Sequence, residues 1–212
     1  MLAATETEDA NDAWSLASTS SKPETKGSET VVPSTSQQKG IMLPLGNERY
    51  LVYSEFKGAD WVNIREYKRK NGFLLASKVG VCMSLKRFAS LRWRLPEIIE
   101  RVKQEEGGED LVVHIGGNLH VTVQNGFACV NFRKFFFPPG EITPRPSKSG
   151  IALRLSEFAE LQKRIEELLA MKPELAQVEL CSSGLDHSNQ EGFYNCPECH
   201  FAPPGYNVFG LY

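Results

Sequence analysis

The chain has 212 residues, 41% of them apolar and 24% charged, a balance that suits a soluble folded core and excludes a fibrous protein. No run approaches the roughly 18 apolar residues that a membrane span needs, and the acidic, polar N-terminus lacks the basic-then-apolar start of a signal peptide, so an address inside the cell is expected. Five cysteines, an odd number, favour reduced thiols or a metal over a disulfide framework, and the net charge of -2 conceals a basic centre between acidic ends. Residues 41–107 hold 13 basic against 8 acidic side chains, whereas 173–212 hold 5 acids and no Lys or Arg. That segregation suits a polyanion-binding core, or a well-solvated one.

Residues 1–40 are rich in Ser, Thr, Glu and Asp and show neither a helical nor a strand period, which predicts a disordered acidic tail. Its Ser-Thr run at 18–21 is a candidate for phosphorylation. From residue 41 short β-type runs alternate with turn signals: 41–45, 49–56 and 60–67, a polar turn at 68–72, then 73–75 and 79–83. Ser84 stands where a helix N-cap belongs, and Leu85, Phe88, Leu91, Leu95, Ile98, Ile99 and Val102 recur at helical spacing, with Pro96 kinking the helix. The order then repeats about 70 residues later. Strands are expected at 111–115, 119–123, 127–137 and 150–153, with a Pro-rich turn at 138–146 and a helix over 156–169. Residues 80–88 align on 150–158, placing Lys78 over Lys148, Leu85 over Leu155, Phe88 over Phe158 and Leu91 over Leu161. The expected fold class is α+β: two tandem β-β-β-β-α units over 41–107 and 108–172.

At 55–67 the run Glu-Phe-Lys-Gly-Ala-Asp-Trp-Val-Asn-Ile-Arg-Glu-Tyr, with Lys78, Gly80 and Leu85 downstream, resembles the signature of the transcriptional coactivator family called positive cofactor four. The second copy keeps a weaker skeleton in Asn131 to Phe136 and Lys148 to Leu153. The resemblance implies two curved sheets paired as a saddle that grips single-stranded or melted DNA, a nuclear address, and partners in the transcription machinery. Two units in one chain allow a pseudo-dimer within the molecule, and a homodimer stays open. Departures are visible: the family's second hairpin Lys is Ala59 here, its Trp after the Tyr is Lys68, and in copy two the hairpin Phe-Lys is Gln124-Asn125.

Unpaired bases stack on aromatic rings and their phosphates attract cations, so a sheet face mixing both suffices for binding. The candidates are Phe56, Lys57, Arg65, Lys68, Lys70 and Lys78 in copy one, with Arg133, Lys134, Phe136, Arg145 and Lys148 in copy two. Phe56 reads equally as a hydrophobic plug, Lys68 to Lys70 as a solvated turn, and Arg65 and Arg133 as structural ion-pair partners. Trp61, Trp93, Phe132, Phe135 and Phe158 are assigned to the core or the paired-helix interface. RNA binding, or a protein-interaction scaffold that has lost its groove, are the alternatives.

The tail carries a separate signal, Cys181-x5-His187-x8-Cys196-x2-Cys199, four soft ligands that suit a structural zinc. His200 is a spare ligand, and the alternatives are an unstructured tail with incidental thiols or a redox pair at Cys196 and Cys199. No catalytic constellation is legible, because Gly116-Gly117 lacks the spacing of a nucleotide loop and no His sits near a nucleophile with a carboxylate to orient it. An enzyme is not expected.

Overall fold

The structure, a computed structural model, describes residues 40–104, 108–187 and 189–203. The tail expected at 1–40, except Gly40, and the acidic pair Glu105 and Glu106 lie outside the described residues. Two antiparallel four-stranded sheets each run in chain order, and each feeds a helix. The first unit is β1 (Gly40–Gly46), β2 (Arg49–Phe56), β3 (Ala59–Lys70), β4 (Phe73–Ser84) and α1 (Leu85–Lys103). The second is β5 (Leu111–Gly116), β6 (Leu119–Val123), β7 (Cys129–Phe136), β8 (Arg145–Arg154) and α2 (Leu155–Met171). Ser84 caps α1 by accepting from the Arg87 N–H, and Pro96 lies within that helix as expected. No described helix is long and apolar enough to cross a membrane.

Several boundaries differ from the sequence reading. Lys68, Arg69 and Lys70 belong to β3 and pair with Leu75, Leu74 and Phe73, so the polar turn shrinks to Asn71 and Gly72 and β4 is continuous. Asn71 and Gly72 take positive φ of 52° and 81°, the left-handed pair that matches strand twist in a two-residue hairpin. The cationic run therefore needs no loop: it forms a ribbon whose side chains reach water. In the second unit β7 starts at Cys129, two residues after an exposed Phe127, and β8 starts at Arg145 inside the expected Pro-rich turn.

The two units share details of backbone geometry. Register shifts between Arg65 and Tyr67 and again between Arg133 and Phe135 place a bulge at the same point of β3 and β7. Opposite each bulge stands a glycine that the neighbouring strand nearly touches. A Cβ would lie 2.7 Å from the Ile64 carbonyl oxygen at Gly80 and 2.4 Å from that of Phe132 at Gly150. Beside the bulge the Arg65 guanidinium donates to the Ser77 carbonyl at 2.7 Å, and Arg133 donates to that of Ser147 at 2.9 Å.

Each helix bridges both sheets. α1 packs on its own β3 and β4 and also across β5 and β6, while α2 lies on β1 and β2 as well as on β7 and β8. One core results, in which Val62, Ile64, Met83, Phe88 and Ile98 of the first unit join Val113, Val121, Phe132, Leu153 and Phe158 of the second. The sheets themselves meet through β4 and β8. Phe132, Phe135 and Phe158 are buried as expected, but Trp93 is 71% exposed, because it stands two residues, about 200° of helix, beyond the buried Leu91.

A buried ionic clamp fastens α2 to the first unit. The Glu157 carboxylate, 2% exposed, accepts from the Asn47 amide at 2.7 Å, from the Arg154 N–H at 2.8 Å and from the Arg49 guanidinium. Arg49 also donates to the Ala152 carbonyl at 2.6 Å. Burial alone would push this carboxyl up, yet the Asn47 and Arg154 hydrogen bonds and the Arg49 charge outweigh it and hold the group below the usual carboxylate range. Replacing Glu157 with Ala strands Arg49 in a half-buried site, and a loss of about 3 kcal/mol in urea unfolding is expected. Lys163→Ala, which removes an exposed i,i+3 pair with Glu160, serves as the control and is expected to cost less than about 0.5 kcal/mol.

Candidate nucleic-acid interface

Beyond the bulge, β3 and β4 leave the core as a two-stranded arm. Cross-strand partners share a face, so the pairs Lys70–Phe73 and Lys68–Leu75 put two exposed cations and two exposed apolar groups on one side. Phe73 is 47% exposed and Leu75 46%, values that a soluble sheet seldom shows next to each other. Lys78, the one basic residue of β4, is exposed as well. Arg69, on the opposite side, pairs with Glu48 at 3.4 Å.

The second arm, from β7 and β8, carries the same chemistry with the strands exchanged. Phe136, 46% exposed, stands where the first arm has Lys68, and Arg145 stands opposite it where the first arm has Leu75. Arg145 pairs with Glu141 at 2.8 Å, and Lys148 is exposed at the place of Lys78. Because β4 and β8 adjoin, both arms spring from neighbouring strands of one body.

The remaining sequence candidates fall in three places. Phe56 and Lys57 sit at the β2–β3 turn, with the Lys57 ammonium 5.5 Å from the Phe56 ring centroid. Lys134 is half-buried on β7. Arg65, 6% exposed, and Arg133 are turned to the bulge carbonyls described above, an arrangement that braces the root of each arm. Phe73 and Leu75 escaped sequence reasoning as site residues because a short apolar run reads as core until the register shows which face it occupies.

The sheet surface around the bulges is filled by rings. In the first unit Tyr50 and Tyr67 meet edge to face at 5.3 Å, and in the second His120 and Phe135 occupy the matching places at 4.5 Å. His120 also lies 4.9 Å from His114, whose Nε2–H donates to the Gly117 carbonyl at 2.7 Å. Burial, and next the neighbouring His114, push the His120 imidazole down to about 4.

The C-terminal segment closes over these histidines. After α2 a 3-10 turn (Pro173–Gln177) buries Leu175, whose carbonyl accepts from Arg92 at 2.7 Å. Two further 3-10 turns and the short α3 (Gln190–Asn195) then bring Cys181, His187, Cys196 and Cys199 together, with one donor atom of each within 4.8 Å of the others. Burial raises the Cys181 thiol and, with the hydrogen bond to Cys181, pushes Cys199 to about 12. Burial would raise Cys196 too, but hydrogen bonds from His187 and from the Cys199 and Glu198 backbone outweigh it and bring that thiol to about 7. Phe201 packs against His114, His120 and Phe137, at centroid distances of 6.4, 5.4 and 4.6 Å. The four clustered residues are those whose spacing stands out in the sequence, whereas the Arg92 and Phe201 contacts were not legible there.

The architecture defines a class: duplicated β-β-β-β-α proteins whose sheets share one core and project two ribbons of mixed cationic and aromatic character. Within it, residues 43–93 match the family model described as Transcriptional Coactivator p15 (PC4). Over 59 residues, 27% of this chain and 48% of the relative, the sequence is 41% identical to a Caenorhabditis elegans protein named "Putative RNA polymerase II transcriptional coactivator". The match thus spans about half the length of that relative.

The depressed His120 has a consequence for stability. The unfolded chain binds a proton at this imidazole near 6.5, whereas the folded one stays neutral until about 4. Its contribution is therefore complete above pH 6.5 and is lost as pH falls toward 4. Urea midpoints measured at pH 7 and pH 5 are expected to show a lower value at pH 5, and His120→Tyr, which installs the residue that the first unit carries as Tyr50, is expected to shrink that difference.

Proposed function

We propose that this chain is a nuclear, non-enzymatic coactivator-like regulator of transcription that binds single-stranded or melted DNA along its two β-arms. The observation that carries the reading is the exchange of chemistry between the arms: Lys68, Lys70, Phe73 and Leu75 on one, Phe136, Arg145 and Lys148 on the other. Each offers cations for phosphates and a ring or alkyl face for bases, on sheets that meet through β4 and β8. Two half-sites on one rigid body suit a flexible strand that passes from one arm to the next. The family match at 43–93 and the coactivator name of the relative support the transcriptional role. Arg65 and Arg133 act in this reading as positioning residues, holding the arms rather than touching phosphate.

Anisotropy of a labelled single-stranded DNA of about 20 nucleotides tests it. Each phosphate contact contributes about 0.7 to the slope of log affinity against log salt, so Lys68→Ala with Lys70→Ala is expected to flatten the slope by about 1.4. Phe73→Ala is expected to weaken binding by about 1–3 kcal/mol with the slope unchanged. Absence of binding by the folded wild type overturns the DNA reading and leaves the protein-interaction scaffold; tighter binding to RNA of the same sequence reassigns the ligand.

A further inference from the structure

The two units are related by sequence, but the ionic clamp is not repeated. Arg87 aligns with Glu157, so the residue that reaches across to the opposite β-turn is a cation in one copy and an anion in the other. The positions match in space as well. A Cβ at Gly46 would meet the Glu157 side chain, and one at Gly116 would meet that of Arg87. Glu157 finds Arg49 within its own turn, whereas the residue at the place of Arg49 in the second unit is the apolar Leu119. Arg87 thus has no acid among β5 and β6 to face. Its partner comes from the tail: Glu198 accepts from Arg87 Nε at 2.7 Å and from Nη2 at 2.5 Å, and the Glu198 carbonyl accepts from the Gly117 N–H at 3.0 Å. The tail completes the second clamp.

What fixes Glu198 is the loop that carries it, Cys196-Pro-Glu-Cys199, and two of the four clustered ligands flank it. The Cys181 sulfur lies 3.9 Å from that of Cys196 and 4.0 Å from His187 Nε2. Tetrahedral zinc with sulfurs at about 2.3 Å sets neighbouring sulfurs about 3.8 Å apart, so the observed spacing already suits the ion. The Cys199 and His200 N–H groups both point to the Cys196 carbonyl, at 3.2 and 2.9 Å, the tight turn expected of a two-residue ligand knuckle. The short turns and six-residue helix that carry these ligands have little apolar core of their own to order them.

We propose that Cys181, His187, Cys196 and Cys199 bind one zinc ion, and that this ion is the fastener of a C-terminal latch that sets Glu198 on Arg87 and Gly117 and Phe201 on the His114–His120 pair. The latch supplies, at the second unit's β-turn, the acid–base pair that Arg49 and Glu157 form between the first unit's turn and α2. It also ties the acidic tail to the second unit.

Elemental analysis and cobalt substitution of the purified full chain, followed by hydrogen exchange, test both halves. One metal per chain is expected, with the visible bands of a tetrahedral thiolate site on cobalt loading, and Cys199→Ser is expected to lose both. On chelation of the wild-type protein, exchange at the Gly117 amide is expected to rise about tenfold or more while amides of β2 and β3 keep their protection. Glu198→Gln is expected to retain the metal yet accelerate Gly117. A folded wild-type chain without stoichiometric metal, or with its thiols found as a disulfide, overturns the zinc site. A metal whose removal leaves Gly117 exchange unchanged overturns the latch.

Discussion

Everything in this molecule depends on two helices each serving two sheets. A four-stranded curved sheet with one helix buries one face poorly, since a single helix cannot cover strands that diverge. Here α1 extends from its own β4 onto β5, and α2 extends from β8 onto β1, so the first strand of each sheet is covered by the other unit's helix. Val62 and Ile64 therefore belong to the same apolar cluster as Phe132 and Leu153. Neither unit has a complete core alone, and the pairing of the sheets is a consequence of core formation rather than an addition to it.

Within that frame the copies have diverged in a compensating way. The bulge, its facing glycine and the bracing arginine recur in both units because they form one steric solution: Gly80 and Gly150 let the neighbouring strand approach, and Arg65 and Arg133 tie down a carbonyl beside the bend. Surface chemistry is freer. Phe136 stands for Lys68, Arg145 for Leu75 and His120 for Tyr50, each swap preserving a cation, a ring or an apolar group somewhere on the same face. The ionic clamp changed most, with Arg87 opposite Glu157 in sign, and the tail carries the acid that the second unit lacks.

Local signals were read well where a local interaction decides the outcome. Asn71-Gly72 marks a hairpin because its two residues tolerate left-handed backbone, and Ser84 marks a helix start because its hydroxyl accepts the Arg87 N–H. The boundary of β3 was misread because charge was taken for a turn; Lys68 to Lys70 are strand residues of a ribbon exposed to water. Residue type assigns Trp93 to the core or the paired-helix interface, whereas its angular position on α1 turns it outward.

The sequence by itself determined the repeated order of strands and helices, the family resemblance of 43–93, and the Cys-His spacing of the tail, since each rests on residues within one unit or segment. Only the tertiary structure decided that Arg65 and Arg133 are turned inward, that Phe73 and Leu75 are exposed beside lysines, and that Glu198 meets Arg87. The reason is physical. Helical and strand periods are set by neighbours a few residues apart, but the face a strand shows to water depends on its register with another strand. A contact such as that of Glu198 with Arg87, 111 residues apart in the chain, leaves no periodic trace in the chain that makes it.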